Sequence, residues 1–95
     1  MRVRFFAYIR NFTGCSEADF SHKETAGELA RFLCDRYGKN LSLKIFPGGY
    51  SKGDEEFGPE IIILVNGRHV CHLQRTKTPL NDDDRVDIFP VVAGG

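Results

Sequence analysis

Net charge, long apolar runs and paired cysteines are all missing from this 95-residue chain. Thirteen Lys and Arg balance thirteen Asp and Glu, giving a formal net charge of zero. A basic excess or stripe is the usual electrostatic footprint of a nucleic-acid binder, so that class is set aside. No apolar stretch approaches the roughly 20 residues of a membrane span, so no membrane partner is expected. Met1-Arg2-Val3-Arg4 lacks the apolar core of a signal peptide, and a cytoplasmic location follows as an expectation. The three cysteines, Cys15, Cys34 and Cys71, are widely spaced and form no C-x-x-C pair. A four-cysteine iron–sulfur site is excluded by count, and reduced thiols are expected. No internal repeat or low-complexity segment interrupts the chain, and its length suits one domain, residues 1–95.

What is present is an alternation of strand, turn and helix signals. Val3, Phe5, Ala7 and Ile9 alternate with Arg2, Arg4, Phe6, Tyr8 and Arg10, which predicts a first strand with one buried face. Residues Asn11 to Gly14 read as a turn, and Ala18 to His22 as a short strand pairing back. Thr25 and Glu28 fit a capping box. Leu29, Phe32, Leu33 and Tyr37 then fall at helical spacing, and Gly38 suits a left-handed stop, so a helix is predicted from Ala26 to Tyr37. A short ordered stretch after Asn40 gives way to turn chemistry at Pro47-Gly48-Gly49 and Ser51-Lys52-Gly53, predicting an exposed loop over 46–59. Ile61 to Val65 is a β-branched run expected to be buried on both faces, ending in an Asn66-Gly67 hairpin. Arg68 to Leu73 would return as a strand. Asn81 to Asp84 reads as a turn in which an Asp accepts a conformation glycine prefers. Val86 and Ile88 then predict a final strand, ended by Pro90, which cannot donate a ladder hydrogen bond.

This order implies an α+β fold, with a mixed sheet whose first and last strands are central and parallel. One main helix packs across it, and a C-terminal tail, 91–95, projects as a mobile segment. That is the β-grasp, or ubiquitin-like, arrangement.

The tail is where chemistry concentrates. Gly94-Gly95 follows Phe89-Pro90-Val91-Val92-Ala93. A terminal carboxylate has a pKa of about 3.3–3.7 and is a poor electrophile when ionised. Conversion by ATP to an acyl-adenylate makes AMP a leaving group and opens the carbonyl to sulfur or an amine. Glycine has no Cβ and tolerates nearly any backbone conformation, so a Gly-Gly end can thread a narrow channel in another protein.

The Thr25-led helix, Val65-Asn66-Gly67, Leu80-Asn81-Asp82-Asp83-Asp84-Arg85-Val86 and the tail together resemble the MoaD family of the MoaD/ThiS ubiquitin-like sulfur carriers, over nearly the whole chain. MoaD is the small subunit of molybdopterin synthase. The resemblance implies that Gly95 is the reacting residue, adenylated and then thiocarboxylated. It implies that Phe89, Pro90, Val91, Val92, Ala93 and Gly94 contact the partner. The expected partners are a MoaE-like large subunit, which would supply the acid–base groups, and a MoeB-like adenylating enzyme, which would consume the ATP. The chain itself would be a non-catalytic carrier with no bound cofactor, delivering sulfur to a pterin precursor of the molybdenum or tungsten cofactor. Sulfur carriage for thiamin or another product, attachment to lysines as a protein modifier, and a plain binding module are the alternatives. Three departures stand out: Asp83 where the family turn usually has Gly, Val91 where a second proline often follows Pro90, and the long 46–59 segment.

Other candidates read as structural. In the strand expected over Arg68 to Leu73, His69 and Cys71 point to one side and His72 to the other, with no fourth ligand evident, so no metal site is expected. Asp82 to Asp84 reads as a solvated turn, and Cys34 as a residue packed at the helix edge. Phe89 is either ordinary core or a partner-facing anchor.

Overall fold

The computed structural model describes residues 1–53 and 55–91. Five strands form one mixed sheet: β1 Arg2–Phe5, β2 Glu17–Asp19, β3 Ile61–Val65, β4 Arg68–His69 and β5 Arg85–Pro90. Their spatial order is β2-β1-β5-β3-β4. β1 and β5 pair in parallel, Val3 opposite Val86 and Phe5 opposite Ile88, while the other pairings are antiparallel. β5 is therefore hydrogen-bonded on both sides. Three helices, α1 Ile9–Thr13, α2 Ala26–Tyr37 and α3 Lys39–Ile45, complete the expected β-grasp fold.

The alternation of β-formers explains the sheet. Val3, Phe5, Ile61, Ile63, Val86 and Ile88 are each no more than 5% exposed. They meet Leu29, Ala30 and Leu33 of α2 and Leu41 and Ile45 of α3 in one core. Ile62 and Leu64, expected to be buried, are only half-buried. Among the described residues no second layer of helices covers their face, so β3 behaves as a strand with one dry side.

Helix α2 begins and ends where its capping signals place it. The Glu28 N–H donates to Thr25 Oγ1 at 3.1 Å. The reciprocal bond lands one residue earlier than a strict capping box: Glu28 Oε2 accepts from the Glu24 N–H at 2.9 Å. Gly38 has the expected positive φ, +101°. It does not stop helical structure, however, because its carbonyl accepts from the Ser42 N–H and opens α3.

Four expectations give way. β1 ends at Phe5, and Ile9 belongs to a helix instead of continuing the strand. Ala7, at φ +53°, turns the chain out of the sheet. Ile9 is fully buried all the same, which is why its place in the alternation misled. The Asn11–Gly14 turn is the end of α1, capped by left-handed Gly14, whose N–H donates to the Arg10 carbonyl. The returning strand after Gly67 lasts only two residues and passes into a 3-10 turn, Val70–His72. Finally, Asp83 is absent from the non-glycine residues with positive φ, so the acidic turn does not need glycine there.

Of the 46–59 segment, 47–49 and 51–53 are exposed, but its two ends are fastened. Phe46 is 2% exposed. Its ring stacks on Phe57 at 5.4 Å between centroids and lies 5.6 Å from Tyr50. The Gly58 N–H donates to the Ile45 carbonyl. Arg31 on α2 reaches Glu55 Oε1 at 2.6 Å, with the Glu55 side chain 3% exposed. The segment is thus a compact loop whose ends meet, of the omega type.

Candidate functional site

The tail root is built from the end of the last strand of the sheet. Phe89 stands opposite Ile62 and Pro90 opposite Ile61. Pro90 lies beyond the last β1 pairing, Phe5 with Ile88, so its missing N–H interrupts no ladder bond to β1. One more bond follows: the Val91 N–H donates to the Glu60 carbonyl at 2.9 Å. Pro90 is buried while Val91 is 45% exposed, so the chain passes from held backbone to solvent within one residue. Val92, Ala93, Gly94 and Gly95, expected in partner contact and reaction, lie outside the described residues, as does most of the 91–95 tail expected to be mobile.

Side chains alternate across a strand, so Phe89 and Asp87 face away from the helices that cover Val86 and Ile88. On that open face Phe89 stacks on Phe6, with centroids 4.2 Å apart and planes 11° from parallel. Phe6 is a residue the sequence reading passed over. Its guanidinium neighbour Arg4 lies 5.3 Å from its ring centroid. Arg4 also clasps Asp87 with two bonds, Nε to Oδ1 at 2.7 Å and a terminal nitrogen to Oδ2 at 2.9 Å. The hydrogen bond to Asp87 is the main cause holding the Arg4 pKa above its ordinary value. Asp87 is only 4% exposed, so its charge is matched inside the sheet. The result is a half-buried aromatic pair beside the tail root, flanked by a neutralised ion pair and by Ile62. Phe89 is therefore neither a core residue on the helix side nor a free-standing anchor.

Two sequence motifs prove to be one structural joint. Asn66 and Gly67 take φ of +51° and +85°, the positive values a two-residue type I′ hairpin requires. The Asn66 side chain accepts from the Arg85 N–H and donates to Asp84 Oδ1, each at 2.9 Å. Asp84 Oδ2 accepts from the Asn81 N–H, and Asp82 Oδ1 from the His22 N–H. Asp82 and Asp84 are therefore occupied in holding the start of β5. Asp83 is exposed.

The cysteines differ sharply. Cys34 is 2% exposed, and burial pushes its thiol pKa up to about 12, with Asp35 adding to the effect. Cys15 is half-buried and its Sγ lies 3.9 Å from the Tyr37 hydroxyl. Cys71 is exposed, with Sγ 2.8 Å from His69 Nδ1. Because residues 70–72 form a 3-10 turn, the alternation that would separate His72 from His69 and Cys71 does not apply. One ligand atom from each of the three lies within 4.8 Å of the others. His69 and Cys71 also line a groove of about 520 Å³ with Phe57, Ile62, Arg75 and Val91.

The sequence pattern of the ThiS family matches residues 3–95. A protein of Archaeoglobus fulgidus provisionally named a sulfur carrier is 39% identical over 95 residues, covering 100% of this chain and 98% of that one. Small archaeal modifier protein 3 of Haloferax volcanii is 34% identical over 97 residues, covering 100% of this chain and 98% of its own length. The solution structure of small archaeal modifier protein 1 from Methanosarcina acetivorans superposes with a TM-score of 0.82 at 33% identity, covering 99% of this chain and 94% of that one. Among the described residues, no helix is long and apolar enough to cross a membrane.

Proposed function

The chain belongs to the ThiS family, within the ThiS/MoaD group of ubiquitin-like sulfur carriers, and we propose that it carries sulfur as a thiocarboxylate on Gly95. The observation that carries this reading is the family match through residue 95, which takes in Gly94 and Gly95. The Gly95 carboxylate attacks the α-phosphate of ATP in an adenylating enzyme and releases pyrophosphate. Sulfide, delivered by a donor, adds to the acyl-adenylate and expels AMP. The thiocarboxylate then gives its sulfur to an acceptor carbon, and water restores the carboxylate oxygen.

The division of labour fits a carrier. The tail root is held by pairing on the β3 side as far as Glu60, so a partner gripping the open face has a fixed origin from which to draw the remaining residues inward. The half-buried Phe6–Phe89 pair supplies an apolar contact beside that origin, and aromatic side chains are enriched where interfaces bury most deeply. As the acceptor we propose a pterin precursor, with this chain as the small subunit of a molybdopterin synthase and a MoaE-like subunit supplying the catalytic groups. ATP belongs to the activating enzyme, MoeB-like, and not to this chain.

A second reading has its own support: two of the relatives are named small archaeal modifier proteins. In that case an amine, the ε-amino group of a lysine, attacks the same acyl-adenylate and forms an isopeptide bond. Incubation with an adenylating enzyme, ATP and sulfide, followed by intact mass, tests the first reading by the exchange of one oxygen for sulfur. Product formation with the large subunit tests the acceptor. Lysines of cell extract that carry the remnant Val86–Gly95 after tryptic cleavage at Arg85 would assign the second. A chain ending at Gly94 that is thiolated as well as the full chain would overturn both.

A further inference from the structure

We infer that His69, Cys71 and His72 form a three-ligand site for a borderline-soft d10 cation, with Zn²⁺ as the best match. This site is independent of the sulfur-carrier reading and lies on different elements, the end of β4, which carries His69, and the 3-10 turn after it, which carries Cys71 and His72. One ligand atom from each residue already falls within 4.8 Å of the others. A tetrahedral zinc centre with Zn–S near 2.3 Å and Zn–N near 2.0–2.1 Å places its ligand atoms about 3.3–3.6 Å apart. The present Sγ to Nδ1 separation is 2.8 Å, a hydrogen-bond distance. Turning the side chains by about an ångström at their tips replaces that shared hydrogen with a metal ion.

The backbone supports the grouping. Val70 is 3% exposed and anchors the turn in the core, while the residues on either side of it stay at the surface. The Leu73 N–H closes the turn on the Val70 carbonyl at 3.0 Å. The three ligands are therefore presented by four consecutive residues whose path is fixed by one buried side chain, which limits the conformational entropy lost on binding. The His69 and His72 rings stand 6.1 Å apart and 82° from parallel, so they converge without stacking.

The donor set selects the ion. One thiolate and two imidazoles suit Zn²⁺ or Cu⁺ and are poor ligands for Mg²⁺ or Ca²⁺, which demand oxygen. Three protein ligands leave the fourth position to water, the pattern of an open site. Binding requires Cys71 as thiolate and both histidines neutral, so one thiol proton passes to solvent for each ion taken up. Two charged groups line the adjoining groove: Arg75 opposes a cation and Glu56 favours one.

The test uses the full chain, freed of metal and kept reduced, titrated with Co²⁺ and then Zn²⁺. Expected are one ion per chain by native mass spectrometry, a thiolate-to-cobalt charge-transfer band, and loss of that band when Zn²⁺ displaces Co²⁺. Cys71→Ser should remove the band. His69→Gln and His72→Gln should each weaken Zn²⁺ binding by more than the roughly 10–100-fold typical of losing an outer-shell partner. Cys15→Ser should change nothing. Unaltered circular dichroism establishes that each variant is folded, which surface positions permit. An unchanged band in Cys71→Ser, loss of binding in Cys15→Ser, or half an ion per chain shared between two copies would each overturn the site.

Discussion

Replacing Phe6 and Phe89 by alanine, singly and together, tests the construction of the tail root. Removing a fully buried phenylalanine costs about 3–5 kcal/mol. Phe89 is half-buried, so about half of that, roughly 1.5–2.5 kcal/mol, is expected from packing alone. The stack, with centroids 4.2 Å apart, adds about 0.5–1.5 kcal/mol beyond area, for a total near 2–4 kcal/mol. Phe6→Ala additionally loses the Arg4 cation over its ring, worth about 0.5–1 kcal/mol at such a site. A domain of this size has about 5–15 kcal/mol in hand, so the single variants remain folded at 25 °C. Guanidinium unfolding of the four chains closes a double-mutant cycle whose coupling should be about 0.5–1.5 kcal/mol. A coupling within the roughly 0.3–0.5 kcal/mol scatter of independent sites would refute the stack as a stabilising element. The same variants separate folding from recognition. If the pair is also the partner's contact, Phe89→Ala should weaken binding to the larger subunit by about 1–3 kcal/mol, measured where both chains are fully folded. Unchanged affinity would leave the pair a purely internal brace.

Gly27→Ala should destabilise even though alanine is the better helix former by about 1 kcal/mol, because a Cβ there would lie 2.8 Å from the Thr76 carbonyl oxygen and 2.9 Å from Thr76 Cβ. The expected net loss is about 1–3 kcal/mol, and a melting temperature at or above wild type would contradict it. The carboxyl of Glu55 is held below its ordinary pKa, first by its own backbone N–H and then by Arg31. Its contribution is fully present above the ordinary carboxylate range and is lost as pH falls through the lowered value. Arg31→Ala should therefore flatten the acid side of the stability–pH curve; an unchanged curve would remove the pair from the account. Iodoacetamide at neutral pH should modify exposed Cys71 and spare Cys34, whose thiol pKa is pushed up to about 12. Mass mapping that finds Cys34 alkylated in the native chain would show that its burial is not maintained.

The parts legible in the sequence are those where one local signal had no competitor. Thr25 with Glu28 placed the start of α2, and Asn66-Gly67 placed the hairpin, because capping and positive φ are short-range demands. The parallel pairing of β1 and β5 followed from the order of elements. Ile9 misled because a period of two and a tight turn into a helix can bury the same residue. Arg68 to Leu73 misled because nothing in Val70-Cys71-His72 marks the change from strand to 3-10 turn; only the burial of Val70 between half-buried His69 and exposed Cys71 does. That error hid the convergence of His69, Cys71 and His72. Phe6 was out of reach for a related reason: its partner Phe89 lies across a parallel pairing, and such contacts leave no trace in local periodicity.

The placement of β5 between β1 and β3 also bears on when the protein can fold. β1 is made before the other strands, yet its parallel neighbour is the last strand of the sheet. Until β5 is available, β1 has an unpaired edge and β3 lacks the strand that joins it to the rest of the sheet. Such long-range pairing is slow, and open strand edges invite association with other chains. The sheet therefore closes only after synthesis has passed Pro90, and β5 is both its final piece and the strand from which the tail departs. A chain cut short within β5 would lose its tail and its fold together, so a partner that grips the finished open face would meet only chains long enough to offer the tail.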